Sequence, residues 1–207
     1  MSTSVEPTLR GQQKNLARRL IVDATARVIL RSGIHQFSMQ EVADEAGIAL
    51  RTLYRYFASR EELVEGVGRE IDEILGEQGI ETALADGPTS AASIAARATA
   101  ALAAAESQSH DLARAWVVIA TATDARSASS RRRDRLVRDA VARMAPQLSA
   151  RDADCVGGAV RVVATSRTWF LLRDDLGLPA DEAARAVEWA LRTLIEAAQN
   201  GRGPDRS

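Results

Sequence analysis

One cysteine, two histidines, five prolines and an aromatic share of 4% are what this chain of 207 residues has least of. A single thiol, Cys155, makes neither an internal disulfide nor a cysteine-based zinc site, so it is expected to lie buried and inert in a reducing cytoplasm. His35 and His110 stand far apart without further ligands at metal spacing, and no metal or other cofactor is expected. No run nears the roughly 18 uninterrupted apolar residues of a membrane-spanning helix, and the first ten residues lack the apolar core of a secretory signal. The expectation is a soluble protein with no membrane partner. Scarce aromatics and alanine-rich runs such as residues 100–105 argue against a mainly strand-built protein, which leaves an all-α fold.

What is present is a 46% share of hydrophobic residues and a net charge of −1 that conceals an asymmetry. Residues 1–60 hold nine Lys and Arg against five Asp and Glu, net +4, and the remainder holds 18 against 23, net −5. A basic head on an acidic body is compatible with a nucleic-acid-binding N-terminal module.

Leu16, Leu20, Ile21, Ala24, Val28 and Ile29 recur at helical spacing and predict a first helix that Gly33 stops, preceded by a flexible arm to about residue 13. Ser38 with Glu41 three residues later is a capping box, and Phe37 can staple onto Val42, so a second helix must begin at Ser38. It runs to about Ala46, because Gly47 supplies the left-handed backbone a tight turn requires. Leu50 to Phe57 forms a short third helix with Leu53 and Phe57 on one face. Ser59 and Glu62 repeat the capping pattern before a fourth helix carrying Leu63, Val67 and Ile71.

Beyond residues 86–88 the composition turns to alanine-rich helix, with breaks expected near residues 107–109, 125–130, 146–149 and 176–179. The last two helices are read as about Ser149 to Asp175 and Pro179 to Gln199, with a frayed polar tail after Gly201. A head of residues 1–60 and a body of residues 61–207 follow. The run Arg131-Arg132-Arg133 is read as a solvated face or a contact for an anionic ligand or partner.

Residues 38–57 have the dimensions of a helix-turn-helix: a short capped helix, a glycine turn, and a second short helix rich in hydroxyl, aromatic and basic side chains. Such a helix fits the major groove, where its outward side chains can meet base edges while flanking hydroxyls and guanidinium groups hold phosphates. Phe37-Ser38-Met39-Gln40-Glu41-Val42-Ala43-Asp44-Glu45-Ala46-Gly47-Ile48, then Thr52-Leu53-Tyr54-Arg55-Tyr56-Phe57, then Ser59-Arg60-Glu61-Glu62-Leu63, resembles the DNA-binding domain of TetR-family transcriptional regulators. The resemblance covers about 50 residues; the rest is similar to that family in length, helical content and two long final helices.

The resemblance implies a homodimeric, all-α repressor that binds a palindromic double-stranded DNA operator and releases it when a small molecule enters the C-terminal domain. It implies Gln40 near a base or phosphate and Ser38 beside the backbone. Arg51 and Thr52 take the base-reading front of the third helix, and Tyr54 and Tyr56 press on sugar-phosphate or a thymine methyl. Arg55 adds a cation, and Arg60 matches a phosphate contact at the start of the fourth helix. Position 49 is Ala where the family often carries a capping Ser or Thr, which removes one polar contact.

Trp116, Met144, Trp169, Phe170 and Trp189 either pack the body and its dimer contact or line a ligand cavity. The candidate lining is Val67 and Ile71 from the fourth helix with Trp116, Ile119, Thr123, Met144, Arg167 and Phe170, for an effector that the sequence does not identify. No nucleophile-base pair or glycine-rich phosphate loop is visible, so no catalytic residue is assigned. Two alternatives remain at this point: a small all-helical enzyme using the body cavity, and a DNA-binding regulator without a small-molecule switch.

Overall fold

A computed structural model describes residues 9–78, 90–122 and 128–204; Thr123 therefore lies outside the described residues. The chain is all-α, with no strand among the described residues: α1 Leu9–Ser32, α2 Met39–Glu45, α3 Leu50–Tyr56, α4 Arg60–Gln78, α5 Ala91–Ala122, α6 Ala128–Met144, α7 Ala150–Val163, α8 Ser166–Phe170 and α9 Ala180–Gln199. Leu171–Asp175 extends α8 as a π-helical turn. No described helix is long and apolar enough to cross a membrane.

The head assembles on α1. Ile21, Val22, Val28 and Ile29 turn inward with Phe37, Val42, Leu53, Phe57 and Leu63, all almost completely buried. Leu16 and Leu20, expected in that stripe, instead stand 61% and 56% exposed. Helix α1 also starts at Leu9, so residues 9–13 are helix and not a flexible arm. Its first turns contain Gln12, Gln13, Lys14 and Ala17, which favour helix without needing a buried face.

The core continues from the head into the body without a break, through α1 and α4 onto α5. Helix α4 lies between them, and two of its glycines permit close contact on opposite sides. A Cβ at Gly66 would come 2.9 Å from Phe57 Cε1, and one at Gly68 would come 2.8 Å from Trp116 Cζ3. Trp116 on α5 therefore rests directly on α4 backbone.

The break expected near residues 107–109 is a kink inside α5, where Ser109 leaves helical geometry (φ −151°, ψ 51°). The single run expected from Ser149 to Asp175 is divided at Ala164 (φ −84°, ψ 40°). Thr165 caps a new helix there, its hydroxyl accepting from the Thr168 amide at 3.1 Å. The Thr165 and Thr168 hydroxyls also donate to the Val162 carbonyl, at 2.9 and 2.6 Å. Hydroxyls that satisfy backbone groups locally compete with helix continuation, which explains the division.

Two further expectations are overturned. Cys155 is exposed, on the outer face of α7. The tail through Pro204 is folded back, not frayed: Gly201 is buried, and the Arg202 amide donates to the Ala197 carbonyl at 2.9 Å. The Gln147 side-chain amide donates to the Ala198 and Gln199 carbonyls at 3.0 and 2.7 Å. The positive φ of Gly201, 70°, permits this reversal.

Candidate nucleic-acid interface

Helix α2 is fixed by the capping box read from its sequence. The Glu41 amide donates to Ser38 Oγ at 3.2 Å, and the Ser38 amide donates to Glu41 Oε2 at 2.7 Å. The Ser38 hydroxyl also donates to that carboxylate at 2.8 Å, and the Ser32 hydroxyl donates to its other oxygen at 3.2 Å. These donors, Ser38 first, hold the Glu41 carboxyl below its usual range. Gly47, at φ +66°, then turns the chain, and the Ile48 amide donates to the Ala43 carbonyl at 3.0 Å.

Helix α3 starts at Ala49, whose extended backbone makes no side-chain cap. Its periodicity sorts the site. Leu53 and Phe57 are fully buried, whereas Arg51, Tyr54 and Arg55 are exposed and Thr52 is half-buried. Tyr54 keeps 49% of its surface in solvent. Gln40 on α2 is exposed and donates to Asp44 Oδ1 at 2.7 Å. Gln40 on α2 and Arg51, Tyr54 and Arg55 on α3 are thus exposed to solvent, with Thr52 half-buried among them.

The other three anticipated residues sit differently. The Ser38 hydroxyl is engaged in the cap. Tyr56 is half-buried, with the Arg55 guanidinium 5.3 Å from its ring centre. Arg60 turns toward the protein: its guanidinium lies 4.4 Å from the Phe37 ring centre and donates to the Ile34 carbonyl at 2.9 Å. There it ties the start of α4 to the α1–α2 connection.

Charge in the head is distributed the same way. Arg27 and Arg31 both pair with Glu45, at 2.7 and 3.1 Å, fastening the end of α2 to α1 and holding the Glu45 carboxyl below its usual range. Arg19 pairs with Glu70 on α4. Among the described residues no carboxylate pairs with Arg51 or Arg55. Arg18, which no sequence pattern singles out, donates to the Tyr56 carbonyl at 3.3 Å and covers Phe57 at 4.2 Å. It anchors the end of α3 from 38 residues away, a separation at which no local pattern exists to be read.

In the body, Val67, Ile71, Ile119 and Phe170 are buried, Trp116 and Met144 are half-buried, and Arg167 is exposed. Phe170 meets His110 edge-on at 6.0 Å and lies 5.4 Å beneath the Arg114 guanidinium. Glu106 accepts from Trp169 Nε1 at 2.9 Å and from Arg173 Nε at 3.1 Å, joining the segment before the α5 kink to α8 and its π-helical turn. The run at 131–133 divides. Arg131 and Arg132 are exposed, but Arg133 is buried and pairs with Asp72 on α4 at 2.9 Å.

Residues 21–67 match a family profile described as bacterial regulatory proteins, tetR family. The HTH-type transcriptional repressor KstR of Mycobacterium tuberculosis is 39% identical over 70 residues, 33% of this chain and 32% of that protein. The chain therefore matches about a third of that curated relative's length. Solved structures extend the likeness in fold. The TetR-family regulator PfmR of Thermus thermophilus superposes with a TM-score of 0.64 at 21% identity, covering 90% of this chain and 99% of its own. AibR, solved with isovaleryl coenzyme A and operator DNA, gives 0.60 at 15% identity, covering 83% and 96%.

Proposed function

We infer that this chain, a TetR-family transcriptional regulator, works as a ligand-responsive homodimeric repressor on a palindromic operator. The observation that carries the reading is the division of α3: Leu53 fully buried, Arg51, Tyr54 and Arg55 facing solvent. A seven-residue helix does not need two unpaired arginines and an exposed phenol for its own stability, whereas a major groove offers partners for all three. Arg51 and Thr52 read base edges, Tyr54 and Arg55 press on the sugar-phosphate, and Gln40 reaches the backbone from α2. Ser38, Tyr56 and Arg60 hold the elements that present these groups.

Two copies set their α3 helices about 34–36 Å apart, one turn of the duplex. The outer faces of α7, α8 and α9 form the two-fold contact. Helix α4 belongs to both halves, so the working division is a head of residues 1–60 and a body of residues 61–207 joined through it. A small molecule entering the body beside Val67, Ile71, Trp116, Ile119, Met144 and Phe170, with Arg167 at its rim, shifts α4 and spoils the spacing. A coupling of about 1–3 kcal/mol is the usual scale for such an effect. Acyl-coenzyme A thioesters are the first class to test, since AibR is solved with one and this lining is apolar.

Selection of bound duplexes from a randomised pool, followed by mobility shifts with and without acyl-coenzyme A thioesters, tests the reading. A pseudo-palindrome with half-sites about ten base pairs apart is expected, and a thioester should release it. Recovery of no preferred sequence would overturn the operator reading; an operator that no tested thioester releases would remove this effector class.

A further inference from the structure

The exposed face of α9 carries charge of both signs around a large aromatic ring. Trp189 is 62% exposed, and it shares a shallow open concavity with Leu178, Glu182, Arg185, Glu188 and Arg192. Glu182, Arg185, Trp189 and Arg192 follow one another at helical spacing along that face. Among the described residues none of the charged side chains Glu182, Arg185, Glu188 and Arg192 is engaged in an ion pair within the chain. An unburied tryptophan flanked by unpaired charges is poor surface for a monomer, because aromatic area of this size gains most from being covered.

The order of the charges says what covers it. In an antiparallel two-fold contact, a residue a given number of places before the crossing point faces the residue the same number after it on the partner. With the crossing level with Val187, Glu182 lies five places before and Arg192 five after, while Arg185 lies two before and Trp189 two after. Each Glu182 then meets the partner's Arg192, and each Arg185 guanidinium covers the partner's Trp189, both pairs occurring twice by symmetry. A crossing level with Trp189 would instead oppose Glu182 to the partner's Glu196, like charge to like.

We propose that α9 docks antiparallel on α9 of a second copy of this chain, centred level with Val187, with Glu182–Arg192 and Arg185–Trp189 as its reciprocal pairs. This rests on the dimer reading above and supplies its register, which fixes the distance between the two heads.

Sedimentation velocity of the full chain over a dilution series, with tryptophan emission followed in parallel, tests the register. Wild-type chain should dimerise, and its emission should shift to the red on dilution as Trp189 is uncovered. Glu182→Arg or Arg192→Glu, each made singly, should weaken self-association by about tenfold, because two symmetry-related attractions become repulsions. An equimolar mixture of the two variants should recover dimers near wild-type affinity, since both reciprocal pairs are then opposite in sign. The Glu182→Arg/Arg192→Glu double variant should recover them too. Single variants that dimerise like wild type, or a mixture that gains nothing, would overturn the register while leaving the dimer; a wild-type chain that stays monomeric would overturn both.

Discussion

Gly68 on α4 lies so close to the Trp116 indole that an added methyl group would sit 2.8 Å from Cζ3. Two residues earlier, Gly66 does the same for Phe57 and Val22 on the head side. Helix α4 is thus gripped by head and body on opposite sides of a single turn, through contacts that leave no room for a side chain, which makes its position sensitive to both.

Replacing Gly68 with Ala should raise intrinsic helix propensity by about 1 kcal/mol and yet leave the protein no more stable, because overpacking against Trp116 costs about 1–3 kcal/mol. Operator affinity should change along with Trp116 emission. The Gly68→Ala/Trp116→Leu pair should recover affinity. Calorimetry with mobility shifts reads both; an unaltered affinity in Gly68→Ala would show that α4 placement does not depend on this contact.

The outward residues of α3 should separate binding from stability. Arg51→Ala and Tyr54→Ala should each reduce operator affinity by tenfold or more, on the scale of about 1–3 kcal/mol per specific contact, with stability within about 0.5 kcal/mol of wild type. Leu53→Ala, at a fully buried position, should cost about 2–5 kcal/mol. Chemical denaturation beside DNA titration distinguishes them, and a collapse of stability in Arg51→Ala would move that side chain from the interface into the fold.

Asp72 and Arg133 join α4 to α6 with only 12% and 8% of their side chains exposed. Removing one partner strands the other in a poorly solvated site, so Arg133→Ala should cost about 3–5 kcal/mol. Arg19→Ala breaks a pair whose arginine is 61% exposed and should cost less than about 1 kcal/mol. Equal losses in urea titrations of the two variants would mean that burial is not what sets the Asp72–Arg133 contribution.

Acid should loosen the head first. Glu41 and Glu45 have folded-state pKa values below the ordinary 4.5, Glu41 through its hydrogen bonds from Ser38 and Glu45 through Arg27 and Arg31. A depressed folded pKa means stability that is complete above 4.5 and lost as pH falls through the lower folded values. Asp23 opposes this weakly, since burial and Glu70 raise its pKa and its protonation relieves strain as pH falls. Urea midpoints between pH 6 and 3 should therefore decline more steeply for wild type than for Glu41→Gln, which starts lower; parallel curves would remove Glu41 from the acid response.

The amino-acid order alone determined what depends on near neighbours. Ser38 and Glu41, three residues apart, specified the start of α2, and Gly47 specified its turn. The spacing of Leu53 and Phe57 specified the face of α3 that goes inside. The all-helical class followed from composition, and the kink at Ser109 fell inside the anticipated break. These outcomes are set by interactions across one helical turn, which are present in any window of sequence.

Tertiary structure decided the direction taken by side chains that have a choice of partners. Arg60 was expected on phosphate, but Ile34 and Phe37, more than twenty residues away in sequence, draw its guanidinium inward. Arg133 could not be told from Arg131 and Arg132 until α4 brought Asp72 alongside. Leu16, Leu20 and Cys155 stay in solvent although their residue types favour burial, because none of the described elements covers them. Long polar and apolar side chains alike take the environment that packing supplies, and that supply comes from residues tens of positions distant.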